Sequence, residues 1–227
     1  MSLGRKLLAE FVGTALLLAC VVGSGIMGVR LAAGNEAIAL LANAGATAGI
    51  LYGSIVVFGP VSGAHFNPAV TLVMRMKHEL RTHEALAYMG VQIVAAVAGV
   101  LLAHAMFDLP LLQPGTRIRT GHAQWLSEGV ATFGLVLTIL LGVKHRPQAV
   151  PALVACYIFA AYWFTASTSF ANPAVTLARA LTQTFAGIRP EDVVGFVFAQ
   201  LMGAMAAMTV ARVLSLNPLS RDREQPD

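Results

Sequence analysis

A chain of 227 residues that is 57% hydrophobic and only 11% charged has too few charges to cover a soluble domain of its size. With a mean hydropathy of +0.72 it reads as an integral membrane protein. Cys20 and Cys156 both fall in apolar stretches, which excludes a disulfide framework. No phosphate-cradling loop, catalytic carboxylate pair or Cys/His metal spacing is present, so neither an enzyme, a cofactor, a metal site nor a nucleic-acid partner is expected.

Hydropathy predicts six full spans near residues 7–29, 37–59, 84–107, 124–143, 149–166 and 191–214. The first begins like a signal peptide, with Arg5 and Lys6 before an apolar run. Glu10 interrupts that run and no clear cleavage site follows, so an uncleaved span is expected. In the second span Gly45, Gly49 and Gly53 recur every four residues, which predicts a small-residue seam for a tight helix contact.

The connections after spans two and five carry the same six residues. Asn67-Pro68-Ala69-Val70-Thr71-Leu72 recurs letter for letter as Asn172-Pro173-Ala174-Val175-Thr176-Leu177. Asn is a good helix N-cap, and Pro at the first helical position has the right φ and no amide hydrogen to leave unpaired. Each box opens an apolar stretch of about ten residues, too short to cross ~30 Å of hydrocarbon at ~1.5 Å per residue, so both are predicted to be re-entrant half-helices.

The halves match elsewhere too. Ala9–Thr14 resembles Ser127–Thr132, and Gln92 with Gly99 echoes Gln200 with Gly203. Three spans plus a half-helix, duplicated, make an inverted repeat that brings discontinuous helices together at the bilayer midplane. The chain divides as 1–107 (first repeat), 108–123 (a connection with Pro110, Pro114 and Gly115), 124–216 (second repeat) and 217–227 (a polar tail expected to be disordered). Of the fifteen basic residues, ten fall on the side of both termini and five on the other, which predicts cytoplasmic termini.

Paired Asn-Pro-Ala boxes among hydrophobic spans resemble the aquaporin superfamily, the major intrinsic proteins, over roughly residues 5–215. The resemblance implies an all-α membrane channel of six transmembrane helices and two half-helices, in the inner membrane of a bacterium. It also implies a homotetramer in the lipid bilayer with one pore per subunit. Asn67 and Asn172, with Pro68, Ala69, Pro173 and Ala174, would form the pore centre. There two positive dipole ends disfavour cations while the amide NH2 groups donate to a passing solute. Glu10 and Glu128 are intramembrane carboxylates, for which a proton relay must be weighed. Their matching repeat positions favour accepting hydrogen bonds from the half-helix loops, the role the resemblance implies.

Counting from the boxes without gaps, the family's filter positions fall on Thr47, Ala160, Ser169 and Val175. Water-selective members carry an aromatic, a histidine, a small residue and an arginine there, and glycerol-type members keep the aromatic and the arginine. Here the set is uncharged and small, so a wide, weakly polar constriction is expected, although a one-residue slip would put Ala46 or Ala48 in place of Thr47. Arg179, four residues beyond Val175, is ~6 Å further along the same helix face. It either moves the filter's charge into the outer vestibule or faces solvent or a carbonyl at the helix end. Valine in the arginine's place resembles bacterial aquaglyceroporins associated with arsenic resistance, taken to pass arsenite as neutral As(OH)3 and methylated arsenicals. The reading is therefore a passive channel for small neutral solutes. Its alternatives are a general aquaglyceroporin, a plain water channel or a coupled secondary transporter. His65 is expected to pack the loop, and His78 and His83 to belong to a solvated basic loop.

Overall fold

In a computed structural model, residues 1–215 are described, and all regular structure among them is helical; the 217–227 tail lies outside the described residues. Eight α-helices follow in order: α1 Leu3–Leu31, α2 Glu36–Ser62, α3 Pro68–Met76, α4 Thr82–Met106, α5 His122–His145, α6 Val150–Phe164, α7 Pro173–Arg179 and α8 Val193–Ser215. The helices expected to cross are long and apolar enough to do so, within a few residues of the predicted bounds. Large exposed side chains such as Leu8, Val57, Leu86 and Phe198 cover the outside, as lipid contact requires.

The duplication governs packing. α1 packs mainly on α4 and α2, and α5 mainly on α8 and α6, while α2 meets α6 across the halves. The long pairs are drawn close by glycines. A Cβ on Gly99 would collide with the Ala15 carbonyl of α1, and one on Gly203 with the Gly129 carbonyl of α5. Each glycine serves its own half, but they are not equivalent positions, lying seven and three residues beyond Gln92 and Gln200.

The Gly45-Gly49-Gly53 seam does not make the helix contact expected of it. A Cβ on Gly49 or Gly53 meets nothing within 4 Å, and Gly45 has only Phe159 nearby, at 3.9 Å. In lipid an outward helix face is as apolar as a packed one, so a small-residue period cannot say which it is.

The short helices start as their sequences dictate. Asn67 caps α3 through Ala69 N at 2.9 Å. Asn172 caps α7 through Ala174 N at 2.9 Å and Val175 N at 3.3 Å, with Pro at the first helical position in both. The largest buried apolar cluster, including Phe66, Phe170, Ala174 and Val175, surrounds the place where these helices begin.

Candidate functional site

The residue before each box takes a left-handed backbone, Phe66 at φ 50° and Ala171 at φ 48°. Such a conformation costs of order 1–2 kcal/mol for a non-glycine residue and persists only where its surroundings hold it. Here a buried carboxylate does the holding. Glu10 accepts from His65 N (2.9 Å), Phe66 N (2.7 Å), Ser62 Oγ (2.7 Å) and Gln92 Nε2 (2.8 Å). Glu128 accepts from Phe170 N (2.8 Å), Ala171 N (2.9 Å) and Gln200 Nε2 (2.6 Å). Gln92 and Gln200 also donate to the box threonines Thr71 (3.0 Å) and Thr176 (2.8 Å). Each glutamate therefore binds its own half-helix loop.

The turn at Phe66 and Ala171 aims a carbonyl at the other half. Asn67 Nδ2 donates to Ala171 O at 2.8 Å, and Asn172 Nδ2 donates to Phe66 O at 2.7 Å. Each amide is thus half committed, and one N–H per asparagine is left for a solute rather than two. Both asparagines border a cavity of about 470 Å³ that runs from Lys77 and Leu80 at one end to Tyr162 and Arg179 at the other.

Above the boxes, Thr47, Ser169 and Val175 border the cavity and are buried. Ala160 does not: it is exposed on the outside of α6, and Val154, Ile158 and Tyr162 turn inward instead. Gap-free counting fails at this helix, because an error of two residues swings a side chain by ~200° to the opposite face. The replacement is large and polar at its tip. The Tyr162 hydroxyl lies 3.2 Å from Thr47 Oγ1, so an aromatic side chain borders the cavity beside Thr47, where the four small residues suggested none.

Arg179 is buried at 2% exposure and borders the same cavity, so it does not face solvent. Its Nε donates to Ala186 O, and its guanidinium carbon lies 3.4 Å from the Phe170 ring centroid. His65 also reaches the cavity, with Nδ1 3.1 Å from Thr71 Oγ1 and its ring against Tyr88. No cluster of metal-ligating side chains occurs among the described residues. His78 and His83 are exposed at the other end.

The family model for the major intrinsic proteins matches residues 1–169. The chain belongs to that family. Its members, the aquaporins and aquaglyceroporins, are passive channels and not enzymes. Among similar proteins, the aquaglyceroporin AqpS of Rhizobium meliloti is 57% identical over 212 residues, covering 93% of this chain and 91% of that one. Aquaporin NIP6-1 of Arabidopsis thaliana is 29% identical over 188 residues, covering 79% of this chain and 60% of that one. The aquaglyceroporin of Plasmodium falciparum has the same fold, with a TM-score of 0.71 at 16% identity over 92% of this chain and 94% of that one.

Three site features of this family member escape sequence reading. Tyr162 could have been found from the four-residue step Val154, Ile158, Tyr162, one stripe of a helix. The inward position of Phe170 and the crossed asparagine links depend on backbone conformation and leave no trace in composition.

Proposed function

We propose that this protein is a passive channel for small neutral hydroxylated solutes, passing glycerol and water. Its finer specificity extends to metalloid hydroxides such as As(OH)3 and to methylated arsenicals. The observation that carries this reading is Val175 bordering the cavity, where the filter arginine of the family would stand. Asn67 and Asn172 act as donors at the pore centre. Thr47, Tyr162, Ser169 and Val175 form the constriction, with Tyr162 taking the place first given to Ala160. Glu10 and Glu128 act as scaffold. A proton relay or a coupled secondary transporter would need a carboxylate free to exchange protons or bind an ion. Both carboxylates are instead engaged by loop amides and a glutamine, which supports the passive reading. The general aquaglyceroporin reading is favoured by one observation, the aromatic Tyr162 bordering the same cavity as Val175, since glycerol-type filters keep an aromatic.

The likeness to bacterial aquaglyceroporins supports an inner-membrane location, and the basic-residue asymmetry supports cytoplasmic termini. The family implies a homotetramer, and the glycine ridge of α2, uncovered on the single chain, supports a face on which copies pack closely.

The test is stopped-flow uptake into proteoliposomes of water, glycerol and arsenite, for wild type and Val175→Arg. Wild type is expected to pass glycerol and arsenite, and the added arginine to suppress both by about tenfold or more. Uptake of water alone by the wild type would reduce the assignment to a plain water channel.

A further inference from the structure

We propose that Arg179 supplies the fixed positive charge of the outer constriction, reaching back one helical turn to the level that Val175 leaves uncharged, with Ser169 as the polar group beside it. The inference rests on the reading of the molecule as a solute channel and adds what keeps ions out of it.

Geometry carries it. A helical side chain leans toward the N-terminus of its helix, so a long one covers the turn before its own Cα. Arg179 is the last residue of α7, yet its guanidinium lies over the ring of Phe170, two residues before the Asn172 cap. The charge is therefore held between the loop that leads into α7 and the loop that leaves it, beside the cavity. One nitrogen, Nε, is fixed by Ala186 O. Among the described residues no acidic side chain pairs with Arg179, and its terminal nitrogens have no hydrogen-bond partner.

Ser169 is the independent observation. It is 3% exposed, borders the same cavity, and its Oγ has no partner among the described residues. A buried hydroxyl without a partner is costly, and rotation about its Cα–Cβ bond toward the cavity would let a solute oxygen satisfy it. Arg119 positions this assembly. Its guanidinium donates to Ser167 O and Gly187 O, both at 3.0 Å, and lies 4.9 Å from the Phe170 centroid. That ties the loop bearing Ser169 to the segment holding Arg179.

A neutral polyol therefore meets N–H and O–H groups, whereas a proton or small cation meets an unpaired positive charge in a medium that screens it poorly. The experiment uses proteoliposomes with a trapped pH dye under a clamped proton gradient, alongside glycerol uptake by light scattering. The variants are Arg179→Met and Arg179→Lys. Arg179→Met is expected to raise proton flux about tenfold or more, because the charge goes while most of the volume is kept; glycerol uptake should fall with the lost N–H donors but stay above that of empty liposomes. Arg179→Lys should stay near wild type, and adding Val175→Arg to Arg179→Met should bring the flux back down. A methionine variant that leaks no more than wild type overturns the proposal. So does a lysine variant that leaks as much as methionine, because packing would then be the cause. If wild type takes up no glycerol beyond empty liposomes, the channel reading fails and this inference fails with it.

Discussion

The two half-helix loops have nearly the same backbone and carry different chemistry. Counting back from Asn67 and Asn172, the left-handed residues pair as Gly63 (φ 89°) with Thr168 (62°), Ala64 (51°) with Ser169 (52°), and Phe66 (50°) with Ala171 (48°). The side chains facing the cavity diverge. Where the first half has Ala64, His65 and, seven residues past its cap, Met74, the second has Ser169, Phe170 and Arg179. The duplicated scaffold sets where the cavity is, and a few unduplicated side chains, Ser169 and Arg179 among them, stand at one end of it. At these matched positions geometry is shared between the halves while the side-chain chemistry is not.

The scaffold should be the most sensitive to change. Glu128→Ala leaves Phe170 N, Ala171 N and Gln200 Nε2 without their acceptor, and an expected loss of about 3–5 kcal/mol should appear as a large fall in unfolding temperature in detergent. Glu10→Ala, which orphans one partner more, should fall at least as far; a mild effect of either would break the idea that both halves depend on the same device. Gly203→Leu drives a side chain into the Gly129 carbonyl, with an expected cost of about 1–3 kcal/mol in the same assay. Met74→Arg places a charge at the position equivalent to Arg179, and glycerol uptake should fall by about tenfold if the first half owes its permeability to being uncharged. Ser169→Ala, which copies Ala64, should leave stability level or slightly raised, because it removes an unpartnered buried hydroxyl. Solute uptake should drop by about twofold to fivefold as one O–H contact is lost. Thr168→Gly, which copies Gly63, is expected to stabilise by up to about 1 kcal/mol, since a β-branched residue at positive φ is strained where glycine is not.

Most of the fold was legible because its signals are local. Six apolar runs, two Asn-Pro starts and a repeated hexapeptide need no tertiary context. Spacing likewise picked out Asn67, Asn172, Thr47, Ser169 and Val175, which border one cavity, and the two glutamates, which bind the loops beside it. Ala160 was misplaced because α6 is apolar all round, so nothing in its pattern tells the inward face from the lipid face, and counting inherits every gap. For the same reason the pattern of α2 could not tell that its glycine ridge finds no partner helix within the chain. The fate of Arg179 was undecidable from sequence, since it turns on where a flexible side chain finds a carbonyl and a ring to rest on.

The crossed links from Asn67 to Ala171 and from Asn172 to Phe66 bear on how such a molecule could arise. Each half completes the hydrogen bonding of the other's cap, so an ancestral single repeat could have built this centre only as an antiparallel pair of copies. Fusion of two such copies into one chain would have preserved the reciprocity while freeing each loop to drift in side chain. Arginine at 179 against methionine at the matching position 74 is an asymmetry that a symmetric pair of identical copies cannot carry.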